Sequence, residues 1–488
     1  MKIRNLFKIG ALIIILVIYF LFPNNNLSVD SLSYGSSVKY GVDLFSAHHL
    51  LYNYFTFVLF SVIKVVFPTI DALKFMQFTN ALFTVFSLLL LRKLIIKLSN
   101  DKDKADIWTF FVAACFGVMR FAVEAETYIM PIFFSIISSL FYFKYLKDKK
   151  LINILLCSIF VSVACLFHQI HLFWGIGLFF GLLFFGKTKH VLIFSVVTLL
   201  IPLVYSLVLV IHYQIDFSFE NLIRFLGEYY FSDNADVKIG LINLIITPIT
   251  FFRTFFQVHG VVIEVLRLLP VFYIIIPIVL FLIFWGLIKL IKSVSFSHFK
   301  LIEYPFEFTH LLIFMLQFAF AFYSHGNSEF MVMLPFLIPL FINMFLRYDI
   351  KAIQYIAIAM LIWNFSFAIF PNNYFDYQNN KELISFIKNN PDKIFILKER
   401  NTVVNQYFYE VGTDEYIRLI DYQNKRAIKR VLKEGKPIYT DVLSKKVPFN
   451  RADMYDSYDV NFVLIRHLIR IDTELGGFFV DEVSLQVE

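Results

Sequence analysis

The sequence predicts an all-α polytopic membrane protein followed by a small soluble α/β domain. Hydrophobic residues make up 59% of the 488 positions, charged residues make up 17%, and the mean hydropathy is +0.70. Soluble domains carry roughly 25% charged residues, so this chain has far more apolar matter than a soluble core needs. Charged residues are also much denser after Pro371 than before it. We therefore predict a transmembrane domain over residues 1–370 and a soluble domain over residues 371–488.

Apolar segments long enough to cross a bilayer recur along the first 370 residues. A spanning helix needs roughly 20 mostly apolar residues, and about eleven segments meet that test. They begin near Lys8, Gln77, Asp106, Tyr128, Leu151, Leu172, Val191, Pro270, Phe308, Phe330 and Lys351. The first segment has no small-residue cleavage site before Pro23, so we interpret it as a retained helix rather than a signal peptide.

The basic residues predict the orientation of these spans. Short loops rich in Lys and Arg favour the cytoplasmic side, which places the N-terminus inside and most acidic residues outside. Residues 50–67 are also apolar, but a span there would put Arg92 and Lys93 outside. We therefore predict an interfacial helix over 50–67 within a first outer loop, 23–75, and a second large outer loop over 214–269. An odd number of spans then places the C-terminal domain outside. The abundance of Lys, Ile, Phe and Asn is typical of an AT-rich bacterial genome, so we expect the plasma (inner) membrane.

The C-terminal domain shows alternating helix and strand patterns. Amphipathic periodicity predicts helices over 381–388 and 425–434. Short apolar runs bounded by Gly, Pro or Asp predict strands. These runs cover 393–397, 437–442, 462–465 and 478–483. The pattern indicates a small α/β domain.

Composition and motifs exclude several functional classes. The net charge of +7 comes from loops between apolar segments, so no nucleic-acid partner is implied. Cys115, Cys157 and Cys165 all lie in apolar segments, which excludes a disulfide framework in the soluble domain. The sequence also lacks a Gly-rich phosphate loop. The free energy for any reaction would therefore come from an activated substrate.

Acids and imidazoles gather in the first outer loop. Its polar candidates are Asp30, Tyr34, Asp43, His48, His49 and Tyr52. A carboxylate such as that of Asp30 could act as general base on an acceptor hydroxyl, and paired imidazoles could hydrogen-bond a sugar or phosphate oxygen. The alternative for any single acid is a helix cap or a solvated loop charge. The clustering favours the functional interpretation.

A second polar group follows the third predicted span. It contains Arg120, Glu124, Glu126 and Tyr128. Burying carboxylates at a helix end costs several kcal/mol unless they are paired or used, so they are functional candidates. The alternative is an internal ion pair between Arg120 and Glu124, four residues apart.

Further polar residues fall at predicted outer helix ends. They are His168, His171, Arg253, His325 and Glu329. A single His at a helix end is more often a cap or an interfacial residue than a ligand, and an interfacial Arg commonly extends toward headgroups. The adjacent pair His48 and His49 has poor geometry for one ion, so we predict no metal site.

These features resemble the GT-C superfamily of membrane glycosyltransferases, and most closely bacterial protein O-mannosyltransferase-like proteins. Asp30 and Tyr34 follow the first span, and the sequence 48-HHLLY-52 stands where relatives carry a His-Pro-rich stretch ending in Leu-Tyr. The sequence 124-EAETY-128 stands where relatives have an acid before Tyr. Asp30 is followed by Ser31 rather than by a second acid, and the expected prolines are absent. The resemblance therefore leaves the acceptor and any divalent cation open.

The resemblance implies a fold, a donor and a mechanism. The donor would be a lipid-linked sugar, a polyprenyl-phosphate-sugar drawn from the membrane, and the acceptor a glycan, lipid or protein. Asp30 would be the base in a single inverting displacement. Independently of the resemblance, such a reaction needs positive or hydrogen-bonding groups around the donor. The candidates for binding its phosphate and sugar are His48, His49, Arg120, Glu124, Glu126, Tyr128 and Arg253.

Two alternative functions remain open at this point. A transporter or flippase would place its essential charges near the membrane midplane and often has duplicated halves. A polymerase of lipid-linked saccharides also acts on the outer face of the membrane, but its large active-site loops usually lie later in the chain. The crowding of polar residues at one predicted rim favours the glycosyltransferase.

Overall fold

The computed structural model describes residues 13–228, 240–258, 261–297, 303–413, 418–422, 424–432, 437–444 and 461–486. Most of the chain is helical, and it divides into two compact units. The membrane unit comprises Met1–Pro23, Asp43–Val258 and Val271–Ile369. The C-terminal unit comprises Asn24–Val42, His259–Pro270 and Phe370–Glu488, so it includes part of the first predicted outer loop.

The secondary-structure elements are numbered along the chain. The helices up to residue 226 are α1 (13–21), α2 (Val29–Tyr40), α3 (Tyr52–Val66), α4 (Ala72–Ser99), α5 (Lys102–Ala114), α6 (Phe116–Val123), α7 (Ile129–Asp148), α8 (Leu151–Phe167), α9 (Leu172–Phe185), α10 (Thr188–Thr198), α11 (Leu200–Leu207) and α12 (Phe219–Leu226). The later helices are α13 (Asn243–Phe255), α14 (Val262–Leu268), α15 (Ile275–Ser293), α16 (Pro305–Tyr323), α17 (Leu334–Phe345), α18 (Ile350–Asn364), α19 (Phe370–Tyr374), α20 (Asn380–Lys388), α21 (Arg400–Val411) and α22 (Lys425–Leu432). The strands are β1 (Ser295–Phe296), β2 (Leu346–Arg347), β3 (Ile394–Leu397), β4 (Arg418–Asp421), β5 (Ile438–Thr440), β6 (Asn461–Thr473) and β7 (Gly476–Gln486).

Five helical segments of the described residues are long and apolar enough to cross a membrane. They are Ile129–Asp148, Thr188–His212, Pro270–Ser293, Pro305–Tyr323 and Ile350–Tyr374. Helices α5 and α6 together make a sixth, bent by 66°. Only 11% of the most apolar stretch of Thr188–His212 and of Pro270–Ser293 is buried inside the protein, so their apolar side chains need lipid around them. The multi-pass membrane location is supported, whereas eleven spans and the orientation remain predictions.

The two predicted outer loops contain helices. Residues 52–66 form α3, which buries Tyr52, Asn53, Thr56 and Phe60 on one side, and its interfacial location stays a prediction. The second loop, 214–269, contains α12, α13 and α14, and its residues 229–239 and 259–260 lie outside the described part.

A break at Cys115 separates α5 from α6. Cys115 has an extended backbone (φ −63°, ψ 135°), so carbonyl groups near the break lose their helical partners. The fully buried Asn364 donates from Nδ2 to the carbonyl oxygens of Ala114 at 2.9 Å and of Phe255 at 2.7 Å. Its Oδ1 accepts from the backbone N of Gln257 at 2.9 Å. One amide thus pairs backbone groups that water cannot reach, and the bend sets the direction of α6.

A polar network joins three helices inside the membrane unit. His310 of α16 is fully buried, and its Nδ1 lies 2.7 Å from the carbonyl oxygen of Phe306. Its Nε2 lies 2.8 Å from Oγ of Ser139 on α7, and Trp174 Nε1 on α9 donates to the same Oγ at 3.0 Å. Both imidazole nitrogens are therefore used, which is the usual condition of a buried polar side chain.

The C-terminal unit contains a five-stranded sheet in the order β4-β3-β5-β7-β6. Strand β3 is parallel to β4 and β5, and β7 is antiparallel to β5 and β6. Phe395 and Leu397 of β3 pack with residues of α20 and α21, while Ile394 and Ile396 pack with residues of α22. Burial on both faces explains why β3 is continuously apolar. The small C-terminal sheet is thus confirmed, whereas the sequence patterns missed α21 and β4.

Asn364→Ala should destabilise the membrane unit because it leaves two buried carbonyl groups unpaired, at about 1–3 kcal/mol each. The measurement is thermal unfolding in detergent. Gln354→Ala is the control, since Gln354 is a half-buried amide on the same helix. Equal melting temperatures for the two variants would contradict the assignment of Asn364 to the break.

Candidate functional site

A partly buried ion pair lies where α6 ends. Glu124 follows the last residue of α6 and has an extended backbone (φ −106°, ψ 156°). Arg120 Nε donates to both carboxylate oxygens of Glu124 at 3.1 Å, one helical turn away. The ion pair considered as an alternative from the sequence is therefore present. Glu124 is only 4% exposed, whereas the Arg120 side chain is 24% exposed, so the carboxylate is shielded from water and the guanidinium is partly accessible.

Glu329 joins this pair to Tyr128. Its Oε1 lies 4.0 Å from Nη2 of Arg120, and its Oε2 accepts from the Tyr128 hydroxyl at 2.8 Å. The guanidinium of Arg120 also lies 4.7 Å from the ring centroid of Phe121. We call Arg120, Glu124, Tyr128 and Glu329 the acid–arginine cluster. Glu329 was a secondary candidate from the sequence, and the structure gives it a central place.

The turn before Glu329 is held against α13. His325 has φ +51°, and Gly326 has φ +65°. A Cβ on Gly326 would lie 2.9 Å from Cα of Thr247, so only glycine fits there. The backbone N of Glu329 donates to Oδ1 of Asn327 at 2.9 Å. The close packing of Gly326 on α13 and this hydrogen bond together position Glu329.

Asn80 is a functional candidate that the sequence analysis missed. It is fully buried in α4, and its Nδ2 donates to the carbonyl oxygens of Glu124 at 2.8 Å and Glu126 at 2.7 Å. The same Nδ2 lies 3.4 Å from the Tyr52 hydroxyl. Asn80 thus fixes the turn that carries both carboxylates. An amide within a long apolar helix was the available signal.

Imidazole rings adjoin the acid–arginine cluster through Tyr128. The Tyr128 ring centroid lies 5.1 Å from that of His168, which lies 6.3 Å from that of His48. The rings of His48 and His49 are 4.2 Å apart. Their short helix, Ala47–His49, is held by the Tyr205 hydroxyl, which donates to the Ala47 carbonyl oxygen.

Burial keeps the first two of these imidazoles neutral. Burial lowers the pKa of His48 to about 4. Burial also lowers the pKa of His49, and the neighbouring His48 lowers it further. Near pH 7 both rings are therefore hydrogen-bonding groups rather than permanent positive charges. His171, another sequence candidate, lies with Nδ1 2.7 Å from Oγ of Ser135.

The remaining candidates are distributed over both units. Arg253 is half-buried on α13. This helix packs on α6, because a Cβ on Gly117 of α6 would lie 3.3 Å from Cγ2 of Thr254 on α13. Asp43 is exposed in the membrane unit, with φ +47°.

Asp30 and Tyr34 lie on α2, which belongs to the C-terminal unit. Ser28 caps this helix by accepting from the backbone N of Ser31 at 2.9 Å. Asp30 is exposed in its first turn. The N-terminal end of a helix favours the ionised form of a carboxylate there.

The balance of charge around Arg120 is negative. Glu124, Glu126 and Glu329 provide three carboxylates for one guanidinium, and Glu126 is only 4% exposed. Carboxylates in such an excess are suited to accept hydrogen bonds from hydroxyl groups. Among the described residues, no three His, Cys, Asp or Glu side chains are arranged to hold a metal ion.

Comparisons with known proteins show the fold. No protein-family profile and no curated protein sequence matches the chain. The crystal structure of the Archaeoglobus fulgidus oligosaccharyltransferase in complex with Zn and sulfate matches with a TM-score of 0.50 at 11% identity, over 89% of this chain and 68% of that chain. ArnT from Cupriavidus metallidurans in the apo state matches with a TM-score of 0.44 at 10% identity, over 98% of each chain.

The oligosaccharyltransferase has the GT-C fold. The likeness to the oligosaccharyltransferase confirms the GT-C fold that the sequence motifs predicted. The narrower likeness to O-mannosyltransferase-like proteins remains a prediction.

Lowering the pH should destabilise the wild type more than His48→Gln. The folded-state pKa of about 4 lies below the unfolded value of 6.5, so the unfolded chain takes up the proton first. The stability from a neutral His48 is present above pH 6.5 and is lost as the pH falls toward 4. Between pH 7.5 and 5 the difference should be on the order of 1–2 kcal/mol, measured by denaturation in detergent. Parallel pH curves for the two proteins would contradict the burial of His48.

Proposed function

We propose that this protein is an inverting membrane glycosyltransferase. It moves a sugar from a polyprenyl-phosphate donor to a glycan, lipid or protein acceptor on the outer face of the membrane. The observation that carries the proposal is the acid–arginine cluster, in which a guanidinium is held by Glu124 beside Glu329, Tyr128 and neutral imidazoles. Such a group of polar side chains, built into a chain with a GT-C fold, offers partners for both a phosphate and sugar hydroxyls.

Arg120 is the proposed partner of the donor phosphate. Its Nε donates a hydrogen bond to Glu124. Its Nη2 lies 4.0 Å from Oε1 of Glu329, which is too long for a direct hydrogen bond. A phosphate oxygen can therefore receive hydrogen bonds from the terminal nitrogens. Negative charge grows on this phosphate as its bond to the sugar breaks, and a prepositioned guanidinium stabilises that charge. His48, His49 and Arg253 are further proposed phosphate contacts.

The carboxylates and Tyr128 are proposed to bind the sugar. A phosphate placed among Glu124, Glu126 and Glu329 would be repelled, but sugar hydroxyls donate to carboxylates and bring no charge. We therefore assign the phosphate to the Arg120 edge and the hydroxyls to the acids. A phosphate near His48 would raise the pKa of that ring, so donor binding would be coupled to uptake of a proton.

Asp30 is the proposed general base. It accepts the proton of the acceptor hydroxyl while the hydroxyl oxygen forms a bond to the anomeric carbon. The bond from that carbon to the phosphate oxygen breaks on the opposite side, and polyprenyl phosphate leaves with the electron pair. One displacement inverts the anomeric carbon. The exposed first-turn location of Asp30 supports an ionised carboxylate with access to an acceptor.

Asp30→Asn should lower sugar transfer by at least a hundredfold because it keeps the size of the side chain and removes the base. The assay follows radiolabelled sugars from a panel of undecaprenyl-phosphate donors into acceptors of the host membranes. Asp71→Asn is the matched control, since Asp71 is another exposed acid at a helix N-terminus and Asn retains its cap.

Equal transfer by wild type and Asp30→Asn would contradict the base assignment. Absence of transfer from every donor of the panel would contradict the glycosyltransferase and favour transport or polymerisation of lipid-linked saccharides.

Removing the charge of Arg120 should weaken donor use. Arg120→Gln alone leaves Glu124 buried without its partner, so the double variant Arg120→Gln/Glu124→Gln is used to keep the fold. Its kcat/KM for the donor should fall by at least tenfold. Arg92→Gln/Asp106→Asn is the control, since Arg92 and Asp106 form another ion pair, at 2.6 Å. Similar kcat/KM values for both double variants would refute a role of Arg120 in donor binding.

A further inference from the structure

Helix α2, which carries Asp30, is attached at both ends to the C-terminal part of the chain. Three groups of contacts hold it, and all of them lie within the C-terminal unit. They involve the segment before the helix, its first turn and its last turn. The sequence alone predicted that these residues belong to the first outer loop, 23–75.

Asn26 anchors the segment that leads into the helix. Its Nδ2 donates to the carbonyl oxygens of Phe375 at 2.7 Å and Asn372 at 3.0 Å. Its Oδ1 accepts from the backbone N of Tyr377 at 2.9 Å. Asn26 lies two residues before the cap Ser28, so the entry of the chain into α2 is fixed.

Asn405 of α21 holds the first turn. Its Nδ2 donates to the carbonyl oxygen of Val29 at 3.0 Å, and Val29 is covalently joined to Asp30. This contact acts on the peptide plane that precedes the Asp30 side chain. A shift of the first turn would therefore change the direction of the carboxylate directly.

The last turn of α2 pairs with the end of α21. Lys39 Nζ donates to the carbonyl oxygen of Tyr409 at 2.6 Å, and the Tyr40 hydroxyl donates to the same oxygen at 2.8 Å. The final carbonyl groups of a helix lack helical partners, and a cation there is favourable. Gly412 ends α21 with φ +84°, and a Cβ on it would lie 3.3 Å from the Tyr40 ring.

We infer that the C-terminal unit positions the general base, with Asn405 as the main positioning residue. This inference rests on the proposed function of Asp30. A reacting group must be held close to its productive geometry, and a misplacement of about 1 Å can cost roughly a hundredfold in rate. The C-terminal unit therefore belongs to the catalytic apparatus and is more than an appended domain for binding partners.

Asn405→Ala should lower kcat by about tenfold with the donor KM unchanged within about twofold, because the variant moves the base and leaves the donor contacts in place. The assay uses the full-length protein with the undecaprenyl-phosphate sugar that wild type accepts. Gln406→Ala is the matched control, since Gln406 is the neighbouring amide and its side chain interacts with Glu410 instead. The control should keep the kcat of wild type.

A double-mutant cycle separates positioning from a general loss of structure. If Asn405 acts through Asp30, Asn405→Ala should not lower further the residual rate of Asp30→Asn. If Asn405→Ala lowered the rate by the same factor in wild type and in Asp30→Asn, the inference would be overturned. A wild-type kcat for Asn405→Ala beside an inactive Asp30→Asn would overturn positioning alone, whereas a fully active Asp30→Asn would refute the proposed base and the inference with it.

Lys39→Met provides a second test if Asn405→Ala does not accumulate. It removes one donor at the other end of α2 and leaves that of Tyr40. We expect a loss of about threefold in kcat with the donor KM again unchanged. An unchanged kcat in this variant would count against the inference in the same way.

Discussion

The requirement that buried polar groups be paired in apolar surroundings governs the architecture of the membrane unit. The break at Cys115 would leave carbonyl groups without partners, and Asn364 pairs with them. Because the break is tolerated, α6 can turn away from α5 and present Arg120 beside Glu124. Asn80 then holds the backbone of the turn that follows. A few buried amides thus determine where the charged groups lie.

The same requirement explains the chemistry available at the acid–arginine cluster. The partly buried guanidinium of Arg120 needs a carboxylate, and Glu124 fulfils that structural role. The second acid, Glu329, accepts a hydrogen bond from Tyr128 and lies 4.0 Å from Arg120 Nη2, so a ligand oxygen can compete for the terminal nitrogens. The carboxylates can accept hydrogen bonds from hydroxyl groups, and the terminal nitrogens of Arg120 can donate to one anionic group. A sugar linked to a lipid phosphate has this combination.

The C-terminal unit has a structural role that its place at the end of the chain conceals. Its sheet buries both faces of β3 between helices, which makes a firm support for α21. Helix α21 in turn pairs with α2 through Asn405 and through the carbonyl oxygen of Tyr409. Residues from opposite ends of the sequence therefore share one compact unit. The proposed catalytic base is carried by this unit rather than by a loop with few contacts.

The sequence by itself determined the fold class, the helical membrane part and most of the C-terminal strands, because apolar periodicity and charge density are local properties. It also identified Arg120, Glu124 and Tyr128 as functional candidates, since charged groups in apolar segments are unfavourable unless they are paired or have a function. Only the tertiary structure decided the central place of Glu329, the supporting roles of Asn80 and Asn364, and the attachment of α2 to α21. These depend on hydrogen bonds between residues far apart in the chain, and no pattern of neighbouring residues contains that information.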